Sequence, residues 1–201
     1  MKPTITKTTD RVIKNNLKMW FESATREDIS SGLNWYKEAQ NFASQLSKEY
    51  NISPYICATV ISCLSPNNRW ERNKIDAETV IKAYIQNLGL NDVKVCTYDN
   101  NKLKAFKALH GQLIAESAPK THSFAMNIGL LSAEHITIDK WHIRACLVKP
   151  HKEIQDVVET VTSTQYRRVE RITSEIAKEL NLKGYQLQAI IWVAIKNNWG
   201  R

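Results

Sequence analysis

Helix breakers are so rare in this chain that they settle its fold class before any motif is read. Six glycines and five prolines punctuate 201 residues. Between them Leu, Ala, Lys, Glu and Gln recur at helical spacing, the pattern of an all-α fold. Helices are predicted over approximately 10–22, 26–50 with a break near Gly32, 54–64, 70–87, 101–110, 119–130, 140–148, 152–160, 164–181 and 185–197. Thr25 and Asp28 have the spacing of a capping box, and Pro54 suits the first turn of the apolar run Tyr55–Leu64, which reads as a buried helix. That run stops at Ser65-Pro66-Asn67-Asn68, a loop signal, before the polar helix start Arg69–Lys74. A buried helix thus delivers a polar loop to one edge of the core. Residues 88–101, with Gly89, Asn91, Asp92, Asp99, Asn100 and Asn101, form the most loop-like interior segment.

A hydrophobic content of 43% supports a sizeable core, and no repeat, low-complexity tract or long linker divides the sequence. One compact helical fold over residues 1–201 is expected. Lys and Arg number 28 against 20 Asp and Glu, a net charge of +8, which suits a polyanionic partner such as nucleic acid as well as it suits an ordinary basic protein. Cys57, Cys63, Cys96 and Cys146 lack CxxC pairing and read as reduced core residues, with no disulfide framework, metal site or iron–sulfur site. No cofactor is expected. The polar N-terminus and the lack of any membrane-length apolar stretch predict a cytoplasmic protein that binds no membrane; a monomer is expected.

The stretch richest in chemistry begins at Ser117-Ala118-Pro119-Lys120-Thr121, runs through Ser123–Ile128, and continues with Ile136-Thr137-Ile138-Asp139-Lys140-Trp141-His142-Ile143-Arg144. It reads as a helix, a short connection, an extended segment and then an Asp opening another helix. Lys120 falls in the first turn of its helix, where the positive end of the dipole disfavours an ammonium, so it can serve as an amine nucleophile or stand as a solvated surface lysine. Asp139 reads as an N-cap, and a carboxylate held there stays ionised and available for electrostatic catalysis.

In these ordered landmarks the chain resembles the helix-hairpin-helix DNA glycosylase superfamily, which includes the 8-oxoguanine glycosylases and the endonuclease III group. Lys120-Thr121 resembles the lysine that ends the family's hairpin, and Ile138–Arg144 resembles its Val-Asp-x-His-Val-x-Arg segment. The separation of 139 − 120 = 19 residues is similar to the family's gap. Ile61–Arg69 resembles the family's apolar helix and the loop that enters the duplex. Three departures stand beside the likeness: Gln112–Pro119 has no hairpin glycine beyond Gly111, Trp141 replaces the usual His, and a four-Cys iron–sulfur loop is absent.

The resemblance covers approximately residues 54–148, which it implies form a central lobe, with 1–53 and 149–201 forming a second. It also implies that Lys120 and Asp139 line a cleft between these lobes and that double-stranded DNA is the partner. The implied activity is base excision for DNA repair: a base is flipped out and its N-glycosidic bond cleaved, a hydrolase reaction, with lyase nicking of the strand through a lysine Schiff base. Catalysis would fall to Lys120 and Asp139. DNA contacts would come from Ser65, Asn67, Asn68, Arg69, Trp70, Thr121, Trp141, His142 and Arg144, each with an ordinary structural reading as loop, packing or capping residue. Tyr166-Arg167-Arg168 with Arg171 and Lys178 reads either as a basic stripe or as a solvated helix face. The rival functions are a non-enzymatic helical DNA-binding or regulatory protein and a helical RNA-binding or protein-interaction module.

Overall fold

The computed structural model describes residues 2–112, 114–150 and 156–199. Among them lie nine α-helices and no strand: α1 Asp10–Glu22, α2 Arg26–Tyr50, α3 Pro54–Leu64, α4 Trp70–Ile85, α5 Asp99–Leu109, α6 Pro119–Leu130, α7 Lys140–Leu147, α8 Ser163–Glu179 and α9 Gly184–Trp199. The protein is all-α. None of these helices is long and apolar enough to cross a membrane.

The starts follow local chemistry. Thr9 caps α1 through Val12 N, and Thr25 and Asp28 close a reciprocal box at 2.9 and 3.1 Å ahead of α2. Pro54 and Pro119 stand in the first turns of α3 and α6, where a missing N–H costs nothing. Two predicted features differ. Helix α2 runs unbroken through Gly32, because the glycine serves a close approach: a Cβ there would lie 2.5 Å from Ile190 Cα. The helix predicted over 152–160 is absent from its described part, residues 156–160, where side chains and backbone tie to other segments through Lys2–Asp156, Val158 N to Pro3 O and Arg144–Glu159. The rest of that prediction, at 152–155, lies outside the described residues.

The chain divides into two compact units, one of Met1–Tyr36 with Ala133–Arg201 and one of Lys37–Ser132. The division falls inside α2, and the second unit both begins and ends earlier than the span 54–148. The first unit buries Ile13, Leu17 and Trp20 of α1 with Ile143 and Cys146 of α7, Val169, Ile172 and Ile176 of α8, and Leu187, Ile191 and Ile195 of α9. Each such aliphatic side chain contributes about 1.5–3 kcal/mol by leaving water.

Ile136 and Ile138 enter the same core from an extended segment. With no strand beside it, α8 side chains satisfy its backbone. The Tyr166 hydroxyl donates to Ile136 O at 2.8 Å and accepts from Ile138 N at 3.0 Å, while Glu170 Oε1 accepts from Ile136 N at 3.2 Å.

In the second unit α3 is central, buried from Cys57 to Leu64 and packed by α4, α5 and α6. Small residues bring α3 and α6 together: a Cβ on Gly129 would lie 2.9 Å from the Tyr55 ring, and Ser62 Oγ donates to Thr121 O at 2.6 Å.

Candidate functional site

Asp139 and Lys120 stand where the sequence puts them within their own elements. Asp139 is the N-cap of α7, half-buried, its Oδ1 accepting from His142 N at 2.8 Å. The segment before it is fixed by Tyr166 and Glu170, so the carboxylate has little freedom. Tyr36 is buried close by and donates to Gln188 Oε1 at 2.8 Å. Burial raises the Tyr36 pKa far above the usual phenol value, the nearby Asp139 charge adding to the rise, so the phenol stays protonated. Lys120, half-buried, is the second residue of α6, behind Pro119, in a first turn that no side chain caps. The two residues belong to different units, Lys120 to the second and Asp139 to the first.

The loop from Ser65 to Arg69 is held by the second unit. Asp76, fully buried, accepts from Asn68 Nδ2 at 2.9 Å, Arg72 Nε at 2.9 Å and Cys96 N at 2.8 Å. Thr97 Oγ1 donates to Pro66 O at 3.0 Å, and Ser65 Oγ donates to Ser62 O at 3.0 Å. At the tip, Asn67 takes φ = 56°, the left-handed conformation that Asn tolerates, and its amide donates to the exposed Tyr98 hydroxyl at 3.0 Å. The exposed side chains of Asn67 and Arg69 are thus presented by a braced turn. Ser65 and Asn68 serve as its frame, and Trp70 packs edge-on to Phe42 at 6.4 Å with Lys74 over its ring. Thr121 is half-buried and contributes its carbonyl to the α3–α6 crossing.

The structure corrects two expectations and resolves a third. His142 is fully buried, leaving no surface for a base or phosphate. Because the Thr173 hydroxyl donates to Val169 O, its oxygen accepts from His142 Nε2–H at 2.9 Å. The other ring nitrogen, Nδ1, has no partner among the described residues, and burial pushes the His142 pKa down to about 3. His142 therefore packs α7 against α8 as a neutral ring.

Second, Cys96 is exposed, unlike the other three free cysteines. Burial pushes Cys57 up to about 11 and Cys63 up to about 12, so those thiols stay protonated. Third, of the two readings of α8, basic stripe or solvated helix face, the three arginines follow the second, each pairing with carboxylates. Arg168 and Arg171 both engage Asp10, Arg171 also engages Glu175, Arg167 engages Glu170, and Tyr166 is buried. The Arg168 and Arg171 guanidiniums hold Asp10 below the usual carboxylate range.

Sequence reasoning passed over Tyr36, Gln188 and Asp76. A polar residue inside an apolar helical stripe was the available signal for Gln188, which sits among Leu187, Ala189, Ile190 and Ile191 and is buried with them. Trp141 and Arg144 are half-buried, with the Arg144 guanidinium 4.8 Å from the indole centroid and also paired with Glu159. No group of three or more His, Cys, Asp or Glu among the described residues could hold a metal ion.

No curated protein and no solved structure matches the chain. A family model does match, over residues 1–199 and so over nearly all of the sequence, and the chain belongs to the family of unknown function DUF7178.

Proposed function

We propose that this chain is a DNA N-glycosylase with the layout of the helix-hairpin-helix glycosylases, removing a modified base from double-stranded DNA. The observation that carries the reading is the setting of Asp139. It is an N-cap carboxylate at the end of an extended segment that Tyr166 and Glu170 pin in place. Breaking the bond between C1′ and the base nitrogen leaves positive charge on the sugar, and a carboxylate already fixed in position stabilises that charge without reorganising.

Lys120 supplies the nucleophile in this reading. Its amine nitrogen adds to C1′ while the bonding pair leaves with the base, which takes up a proton from water. The nitrogen loses its own proton, its lone pair expels O4′, which takes up a proton as the sugar ring opens, and the resulting Schiff base permits strand nicking. The base must first leave the stack, and Asn67 and Arg69 at the braced turn are the side chains offered to the gap it vacates. Ser65, Asn68 and Trp70 support that turn, Thr121 supports the helix carrying Lys120, and Trp141 and Arg144 contact the strand beside Asp139.

A mass-spectrometric screen for free bases, run on duplexes carrying diverse modified bases, tests the activity. Release of one base from one class of duplex is expected. Duplex binding with no base released from any of them would leave a non-enzymatic DNA-binding protein.

A further inference from the structure

Three cations gather on one indole of the first unit. The Arg144 guanidinium carbon lies 4.8 Å, Lys196 Nζ 5.6 Å and Lys140 Nζ 5.7 Å from the Trp141 centroid. Lys196 is shared with a second indole, 4.9 Å from Trp192, and Trp192 in turn packs 5.8 Å from Trp35. The lysines come from the first turn of α7 and the last turn of α9, so two helix ends converge here.

Charge collected this way carries an internal cost. Attraction to a half-buried ring is modest, and the three like charges repel one another. Lys140 also stands at the positive end of its own helix, where a cation is disfavoured. Elsewhere on this unit Lys14 pairs with Glu175, Lys18 with Glu179, and Arg171 with Asp10 and Glu175. Here Arg144 pairs with Glu159, but neither Lys140 nor Lys196 forms an ion pair among the described residues.

We propose that this face binds the phosphodiester backbone of a nucleic-acid strand. Phosphates sit against Lys140 and Lys196, with the indoles of Trp141 and Trp192 as the apolar wall behind the sugars. A polyanion fits better than a single small anion because the cations are spread around the ring on two helices. The inference shares its partner with the reading above but does not depend on base release, and it brings in Lys196 and Trp192 of α9, to which the sequence assigns no chemistry.

The test measures binding of short labelled duplex and single-stranded oligonucleotides by fluorescence anisotropy between about 50 and 200 mM salt. Wild type is compared with Lys140→Gln/Lys196→Gln and with a charge-matched control, Lys14→Gln/Lys18→Gln. Lys140 and Lys196 are exposed and Lys14 and Lys18 half-buried, and each variant is checked for wild-type helical circular dichroism before binding is measured. Losing two phosphate contacts should lower the slope of log affinity against log salt by about 1.8 on duplex, or about 1.4 on single strand, while the control keeps the wild-type slope. An unchanged slope in the first variant, or an equal drop in the control, overturns the proposal. So does tighter binding of wild type to phosphatidylglycerol vesicles than to either oligonucleotide. Base release separates the two ideas: a reduced slope in a protein that releases no base keeps this face and removes the glycosylase, and an unchanged slope with release intact does the reverse.

Discussion

His142 shows how one side chain can be read correctly as helical and wrongly as a DNA contact. Its position three residues after Asp139 suggests a site, yet its ring is buried between α7 and Thr173 of α8. The consequence is a pH dependence whose sign can be worked out. Unfolded, the ring takes a proton below its ordinary value of 6.5; folded, it resists protonation down to about 3. The unfolded state therefore binds more protons in this window, and stability present above pH 6.5 is lost as pH falls. Between pH 6.5 and 5 the loss should be about 2 kcal/mol, at about 1.4 kcal/mol per unit. Urea unfolding at both pH values measures it, and His142→Gln should flatten the dependence. An equal pH dependence in the variant would show that another group carries it.

At the scale of elements, the chemistry that acts within a few residues was legible and the chemistry that acts across the chain was not. The capping box at Thr25 and Asp28 and the prolines opening α3 and α6 act locally, so their helices were placed to within a residue or two. Gly32 looked like a break because a glycine lowers helix propensity, whereas its reason is Ile190, far along the chain. Gly32→Ala should therefore destabilise the protein by about 1–3 kcal/mol through overpacking, despite the better helix propensity of alanine. A gain in Tm for this variant would restore the reading of a weak point in α2. Tyr166 was hidden in the same way: beside two arginines it looked like part of a basic stripe, while its hydroxyl serves Ile136 and Ile138, 30 and 28 residues away. Tyr166→Phe leaves a buried carbonyl and amide without that partner, which should cost about 1–3 kcal/mol in chemical unfolding. It should also slow any base release through a displaced Asp139, with DNA affinity nearly unchanged. Unaltered release at an unaltered stability would show that the segment positions itself.

For the molecule as a whole, the helical class followed from composition, and the order of Lys120 and Asp139 along the chain suggested the glycosylase layout. The division into units did not follow from sequence, since it falls inside the continuous helix α2 rather than at a loop. The net charge of +8 should make duplex binding fall steeply between about 50 and 200 mM salt, and an affinity indifferent to salt over that range would remove the electrostatic case for DNA. The central claim is catalytic, and single-turnover base release by wild type and Asp139→Asn tests it most directly, on whichever modified duplex the screen identifies and with DNA affinity measured alongside. The account predicts that the wild type releases the base and that the variant binds the same DNA nearly as well but releases it about 10²–10³ more slowly, the loss typical of removing one electrostatic stabiliser. A folded Asp139→Asn protein that releases base at the wild-type rate, or a folded wild type that releases none from any duplex it binds, would contradict it.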